Sequence, residues 1–223
     1  MPVHLILFLL TCLSMTVALF FVFIFAPAEA TMGEIQRIFY FHVASAWTAF
    51  LAFFIVFCCS IAYLAKKRRF WDFISLSAAE TGVLFMTFVL ITGPLWAKPV
   101  WNTYWSWDAR LTTSLILWLI YIVYLMIRKY TEDRQQGARF AAVFGIVAFI
   151  QVPIVYMSIR WWRTLHPAPV LGNVEGGGME TNMIITLLVS VLAFTMLFLN
   201  LLFMRYRIAQ VEAQLFYLRE NAE

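Results

Sequence analysis

The sequence predicts an all-α fold: a polytopic membrane protein in which six transmembrane helices form one bundle, with both termini in the cytoplasm. The first observation is composition, because 63% of the 223 residues are hydrophobic and only 13% are charged, whereas a soluble domain is about 45–50% apolar and about 25% charged. The apolar residues are spread along the whole chain, and a soluble domain of this size could not bury them in one core. A soluble enzyme, a nucleic-acid-binding protein and a disordered chain are therefore disfavoured, and the lipid bilayer is the expected surrounding.

The second observation is the length of the apolar runs. Six stretches, interrupted by a charge only at Glu80, reach the length of about 17–25 residues that a helix needs to cross a bilayer. They are residues 3–25, 43–65, 73–93, 111–127, 140–159 and 181–204. Each is predicted to be helical, because lipid offers no partner for an unpaired backbone amide. No repeat or linker divides the chain, so residues 1–223 are expected to form a single integral domain.

The first and last runs need a decision about their ends. Ala28-Glu29-Ala30 resembles a signal-peptide cleavage site, but residues 1–4 contain no Lys or Arg and the run exceeds the usual apolar core of about 7–15 residues. We therefore expect an uncleaved helix. After the sixth run, apolar residues at helical spacing predict that the helix continues through residues 205–219.

Two inner runs carry polar residues. Glu80 in the third run is interpreted as a partner for a polar group on a neighbouring helix, a contact to another subunit, or a neutral side chain near the interface. In the fifth run, Gln151 and Pro153 predict a kink.

The third observation is the distribution of basic residues. Four lie between the second and third runs, four between the fourth and fifth, and three after the sixth, out of 16 in total. This bias orients those loops and both termini toward the cytoplasm and the other three loops outward. The outer loops carry the five remaining basic residues, Arg37, Lys98, Arg110, Arg160 and Arg163.

The outer loops also concentrate aromatic residues and histidines. Six of the nine tryptophans fall in the second and third outer loops, residues 94–110 and about 160–180. His42 closes the first outer loop and His166 lies in the third, whereas His4 is predicted at the cytoplasmic side. An interfacial aromatic belt and ordinary polar histidines are the alternative interpretation. The density of tryptophan beside two histidines favours a binding platform.

A flat, apolar ligand with a central metal and anionic edges would suit this arrangement. Indole faces stack on such a molecule, two imidazoles coordinate the metal, and the outer basic residues pair with carboxylates. Haem meets all three demands. The cysteines, Cys12, Cys58 and Cys59, form no Cys-x-x-Cys motif, so neither thioredoxin-like redox chemistry nor covalent haem attachment is expected.

The run 101–112 (Trp-Asn-Thr-Tyr-Trp-Ser-Trp-Asp-Ala-Arg-Leu-Thr) resembles the tryptophan-rich WWD signature of membrane proteins that handle haem in cytochrome c maturation. Residues 37–47, residues 161–166 and the six-span length resemble the haem exporter protein C (CcmC) family, rather than the CcmF and CcsA types, which are larger or contain more histidines. The similarity covers roughly residues 30–205.

The resemblance implies roles for individual residues. His42 and His166 would be the axial ligands of a non-covalently bound haem b at the outer face of the bacterial cytoplasmic (inner) membrane. The platform that holds and presents the haem would consist of Trp96, Trp101, Tyr104, Trp105, Trp107 and Asp108. The outer basic residues, Arg37, Lys98, Arg110, Arg160 and Arg163, would be the candidates for the haem propionates.

The resemblance also implies partners. These are the haem chaperone CcmE, the ABC transporter subunits CcmA and CcmB, and the small membrane protein CcmD. The chain itself has no Walker motif, so ATP chemistry would belong to a partner. It is expected to be a haem-transfer protein and not an enzyme.

Two other functions stay open at this point. A passive subunit that conducts haem through the membrane would need polar or small residues along the spans, and these are scarce. A quinol-oxidising cytochrome b usually needs four histidine ligands inside the spans, and the chain has three histidines in all.

Overall fold

The computed structural model describes residues 3–166 and 179–220, and the regular structure within these ranges is helical. A π-helical turn, Phe21–Phe25, follows the first helix, and a 3₁₀ turn, Glu34–Gln36, precedes the second. The seven α-helices are α1 (Val3–Phe20), α2 (Arg37–Lys66), α3 (Arg69–Trp101), α4 (Ala109–Tyr130), α5 (Arg134–Ala148), α6 (Gln151–Trp161) and α7 (Thr181–Glu220). The third outer loop beyond His166, up to residue 178, lies outside the described residues.

Six helical segments of the described chain are long and apolar enough to cross a membrane. They are Val3–Phe25, Glu34–Lys66, Arg69–Trp101, Ala109–Tyr130, Arg134–Trp161 and Thr181–Arg219. The all-α prediction with six spans is therefore confirmed. The helices extend past the apolar runs because polar residues at their ends continue the same backbone hydrogen bonding. Helix α7 runs unbroken to Glu220, as the apolar spacing in residues 205–219 predicts.

The kink expected in the fifth span is a break between α5 and α6. Pro153 has no N–H to donate to the carbonyl of Phe149, four residues earlier, so one α-helical hydrogen bond is missing at this point. Instead the Val152 amide donates to the Phe149 carbonyl at 3.0 Å. The Gln151 side chain donates to the Thr113 carbonyl of α4 at 3.0 Å, which ties the break to its neighbour.

Helix α3 differs from the expected loop over residues 94–110. It continues through Pro94 and Pro99 to Trp101, and the chain turns at Asn102 with a φ of 57°. The Lys98 ammonium donates to the carbonyl and side-chain oxygens of Asn102 at 3.1 and 3.2 Å, which stabilises this helix end. Residues 94–110, here called the tryptophan segment, are thus helical up to Trp101, irregular over 102–108 and helical again from Ala109.

The core lies where α2 packs along α3 and also contacts α5 and α7. Small residues bring α2 and α3 together, since Ala52 and Ala78 are fully buried and a Cβ added at Gly82 would lie 2.7 Å from the Phe53 ring. Phe53 in turn stacks on Tyr121 of α4, with ring centroids 3.6 Å apart. These contacts fix the relative positions of the three helices that carry most of the site described below.

Two ion pairs join the helices toward the end of the bundle that bears the loop between α2 and α3, here called the basic end. Arg128 of α4 binds Asp72 of α3 through both oxygens, at 2.6 and 2.8 Å. Arg205 of α7 binds Glu80 of α3 in the same way, at 2.7 and 2.8 Å. Of the interpretations of Glu80, the structure therefore supports pairing with a neighbouring helix. The opposite end, which carries the tryptophans, is called the tryptophan end.

Candidate functional site

His42 lies in the second turn of α2 and faces α3. Its Nδ1 is 2.9 Å from the hydroxyl of Thr92. A Cβ added at the neighbouring Gly93 would lie 3.4 Å from the imidazole Cε1, which is an ordinary van der Waals contact, so the ring lies close to this turn of α3. His42 is thereby held between two helices that the core already fixes.

Asp108 connects the tryptophan segment to the third outer loop. One carboxylate oxygen caps α4 by accepting the backbone N–H groups of Arg110 and Leu111, at 2.9 and 3.1 Å. The same oxygen accepts the hydroxyl of Thr164 at 3.0 Å, and the Thr164 oxygen accepts the backbone N–H of His166 at 3.1 Å. Asp108 thus helps to position the segment that carries His166.

The two histidines lie at the same end of the bundle. His42 and His166 are near enough for their charges to interact, and Arg110 lies within the same electrostatic range of His42. They come from α2 and from the segment after α6, 124 positions apart in the sequence. The packing of the helices and the Asp108–Thr164 contact together place them at this end.

The aromatic side chains form edge-to-face pairs: Trp96 with Trp101, Trp105 with Trp107, and Trp161 with Trp162, at centroid distances of 5.1, 5.7 and 5.8 Å. Trp107 and Tyr104 are the most exposed aromatic residues of the tryptophan segment, at 76% and 58%.

The indole nitrogens of Trp96 and Trp105, in contrast to the exposed rings of Trp107 and Tyr104, lie in the interior. Both are buried and have no hydrogen-bond partner within the described chain. Since an unmet buried donor costs about 1–3 kcal/mol, this end of the bundle holds two polar groups that a ligand acceptor would satisfy.

The five basic residues that are candidates for the haem propionates differ in the contacts that their side chains already make within the protein. Arg37 binds Glu34 and the carbonyls of Val22 and Ala26, so it clamps the end of the first span to the start of α2. Arg110 donates to the Val155 carbonyl of α6.

Three basic candidates lie nearer the surface. The Lys98 ammonium caps α3 and lies 5.4 Å from the Tyr104 ring centroid. The Arg160 guanidinium lies over the ring of Tyr156 at 5.7 Å. Arg163 is exposed and lines a cavity of about 380 Å³ together with Asp108, Thr164 and Leu165.

The chain matches the family model of heme exporter protein C over residues 2–218. The chain belongs to the heme exporter protein C family. This confirms the resemblance that the residues around the WWD signature indicate.

Several members of this family are similar in sequence. Heme exporter protein C of Bradyrhizobium diazoefficiens is 36% identical over 176 residues, which cover 79% of this chain and 67% of that protein. The Haemophilus influenzae protein of the same name is 32% identical over 183 residues, 82% of this chain and 74% of that protein. A ccmC-like mitochondrial cytochrome c biosynthesis protein of Marchantia polymorpha is 39% identical over 141 residues, 63% of this chain and 59% of that protein.

Membership of the heme exporter protein C family gives the chain a general role. It is a multi-pass membrane protein with a role in haem transport and cytochrome c biogenesis, as a component of a haem exporter.

The donor set at the tryptophan end agrees with haem as the family's ligand. A bare metal ion held by protein alone takes three or more ligands, and the described residues contain no such group of histidine, cysteine, aspartate or glutamate. Two imidazoles suffice when a porphyrin supplies the other four nitrogens. The indole N–H groups of Trp96 and Trp105 have no partner within the described chain, and they are donors from which a haem carboxylate could accept hydrogen bonds.

Three residues of this site were not predicted from the sequence. Thr92 and Gly93 contact His42 across a helix interface, and no spacing in the sequence pairs α2 with that turn of α3. Thr164 carried a weak signal, because a threonine two residues before a histidine can bond its backbone N–H in a local turn.

Proposed function

We propose that this chain binds haem b non-covalently at the tryptophan end, with His42 and His166 as axial ligands of the iron. It would present the haem at the outer face of a bacterial cytoplasmic membrane to the haem chaperone CcmE, in a complex with CcmA, CcmB and CcmD. The observation that carries the proposal is that His42 and His166, from distant segments of the chain, lie at the same end of the bundle beside the tryptophan segment.

The aromatic residues of the platform would have different roles according to how exposed they are. Trp96, Trp101 and Trp105 belong to the inner side of the platform, where their rings would stack on the porphyrin and the N–H groups of Trp96 and Trp105 would meet acceptors. Trp107 and Tyr104 are the exposed edge, which suits contact with a partner. The bound haem supplies the polarisable ring, the iron and the reactive vinyl edge.

Among the basic candidates, Arg163 is the best propionate partner. Arg37 and Arg110 are committed to backbone carbonyls, and Lys98 to Asn102. Arg163 lies beside the Asp108–Thr164 link that positions His166, on the same cavity, and a guanidinium forms two parallel hydrogen bonds with a carboxylate.

An optical titration of the purified protein tests the proposal. The wild type in mild detergent is expected to take up haem with a low-spin Soret spectrum. His42→Ala and His166→Ala should each lose this spectrum, because one axial ligand is removed.

The third histidine is the matched control. His4 lies at the start of α1, at the basic end, so His4→Ala should bind haem like the wild type. An identical spectrum in all three variants, or a wild type without a Soret band, contradicts the proposal.

A further inference from the structure

We propose that the Thr92 hydroxyl holds His42 as the tautomer with hydrogen on Nδ1, so that Nε2 carries the lone pair for the haem iron. Thr92 would then be a positioning residue: it touches the imidazole and not the iron. This inference rests on the haem-binding role proposed above, and it adds the group that decides which nitrogen is available.

The hydrogen bonds of Thr92 determine the direction of the contact. Its Oγ1 lies 2.7 Å from the carbonyl of Phe88, one turn earlier in α3, and 2.9 Å from His42 Nδ1. A carbonyl can only accept, and a threonine hydroxyl has a single hydrogen to give. Once that hydrogen goes to Phe88, Oγ1 can only accept from His42, so Nδ1 must carry a hydrogen.

The same helix contains a second example in which the direction is fixed by chemistry. Thr87 Oγ1 donates a hydrogen bond to the Val83 carbonyl at 2.8 Å and accepts one from the Trp118 indole N–H at 2.9 Å. An indole N–H is a donor only. A threonine of α3 that donates to the carbonyl four residues earlier and accepts from a ring N–H is therefore an arrangement this helix already uses.

The tautomer matters for coordination. A neutral imidazole has one protonated nitrogen and one lone pair, and the hydrogen bond at one nitrogen decides which nitrogen can bind a metal. Gly93 lies beside the ring edge that carries Cε1 and Nδ1, which keeps this edge of the imidazole against α3. In the free chain the ring is thus already in the form that an iron ligand needs.

Nitrogen-15 NMR of the haem-free protein tests the tautomer directly. The chain has three histidines, so labelling histidine with nitrogen-15 gives a spectrum that His4→Ala and His166→Ala assign. We expect a protonated Nδ1 and an unprotonated Nε2 at His42 in the wild type. Thr92→Val, which keeps the shape but removes the acceptor, should shift the population toward hydrogen on Nε2.

Haem titration tests the consequence for ligation. In full-length protein, Thr92→Val is expected to bind haem about 10-fold more weakly, the lower end of the effect of removing a group that orients a metal ligand. It should also show a high-spin fraction and an altered midpoint potential. Thr92→Ser restores the hydroxyl and should return all three measurements close to the wild type.

Thr87→Val is the matched control, since it removes the same kind of hydrogen bond from the same helix but contacts Trp118 instead of a histidine. It should leave affinity, spin state and potential unchanged. The inference is overturned if Thr92→Val keeps the wild-type NMR tautomer, or if Thr87→Val perturbs the haem as much as Thr92→Val. A wild type that shows Nδ1–H but binds no haem would instead refute the haem site and, with it, the role of Thr92 in ligation.

Discussion

Gly82 shows how a single residue sets the distance between two helices. A Cβ at this position would lie 2.7 Å from the Phe53 ring and 3.0 Å from the Ala52 methyl, both on α2. Phe53 cannot retreat, because its other face stacks on Tyr121. The absence of one side chain therefore allows α2, α3 and α4 to pack together.

Gly82→Ala is expected to lower the melting temperature of the detergent-solubilised protein, since overpacking a core costs about 1–3 kcal/mol. Gly93→Ala is the control on the same helix: its methyl would meet His42 only at an ordinary 3.4 Å, and alanine gains about 1 kcal/mol of helix propensity over glycine. A melting temperature that rises equally in both variants would contradict this account of α2–α3 packing.

The histidines were predictable as single residues, but the groups that hold them were not. His42 and His166 stand out because an imidazole is rare here and both border aromatic segments. Thr92 is one of several threonines in apolar helices, and it lies 50 positions from His42. Hydropathy shows which face of a helix avoids water and does not show which residue of another helix it meets.

At the level of elements, the start of α4 is also an anchor for the segment after α6. Asp108 caps α4 and accepts the Thr164 hydroxyl with the same oxygen, and Thr164 accepts the His166 amide. A helix cap and a candidate ligand are therefore mechanically connected.

Asp108→Ala is expected to destabilise the protein by about 1 kcal/mol through loss of the cap and to weaken haem binding through the loosened His166 segment. Asp133→Ala is the control, because Asp133 caps α5 in the same way at the basic end, through the amides of Gln135 and Gln136. It should lose similar stability without a change in haem affinity. Asp108→Asn, whose oxygen can still accept both contacts, should behave like the wild type, and equal haem affinity in Asp108→Ala and Asp133→Ala would argue against the connection.

The sequence predicts that the helices exist better than it predicts where they end. Hydropathy indicates six spans, and Pro153 indicates the break in the fifth, because each depends on local chemistry. The end of α3 does not: the helix passes Pro94 and Pro99 and closes through the contact between Lys98 and Asn102. That contact appears only once the backbone has turned at Asn102.

At the level of the whole molecule, six spans place the two termini on one side, and the basic residues predict that this side is the cytoplasm. In a chain whose native cysteines are replaced by alanine, Thr31→Cys should react with a membrane-impermeant maleimide in intact cells. Glu132→Cys, in the loop between α4 and α5, should react only after lysis. The reverse labelling pattern would mean that the tryptophan end faces the cytoplasm.

The ion pair between Glu80 and Arg205 has a consequence for biosynthesis. The two residues are 125 positions apart, which at about 5–20 residues per second corresponds to roughly 6–25 s of translation. During that interval Glu80 has been synthesised but lacks the guanidinium that later binds it. Helix α7 thus completes an ion pair of α3, so this part of the bundle cannot finish assembling before the ribosome has delivered α7.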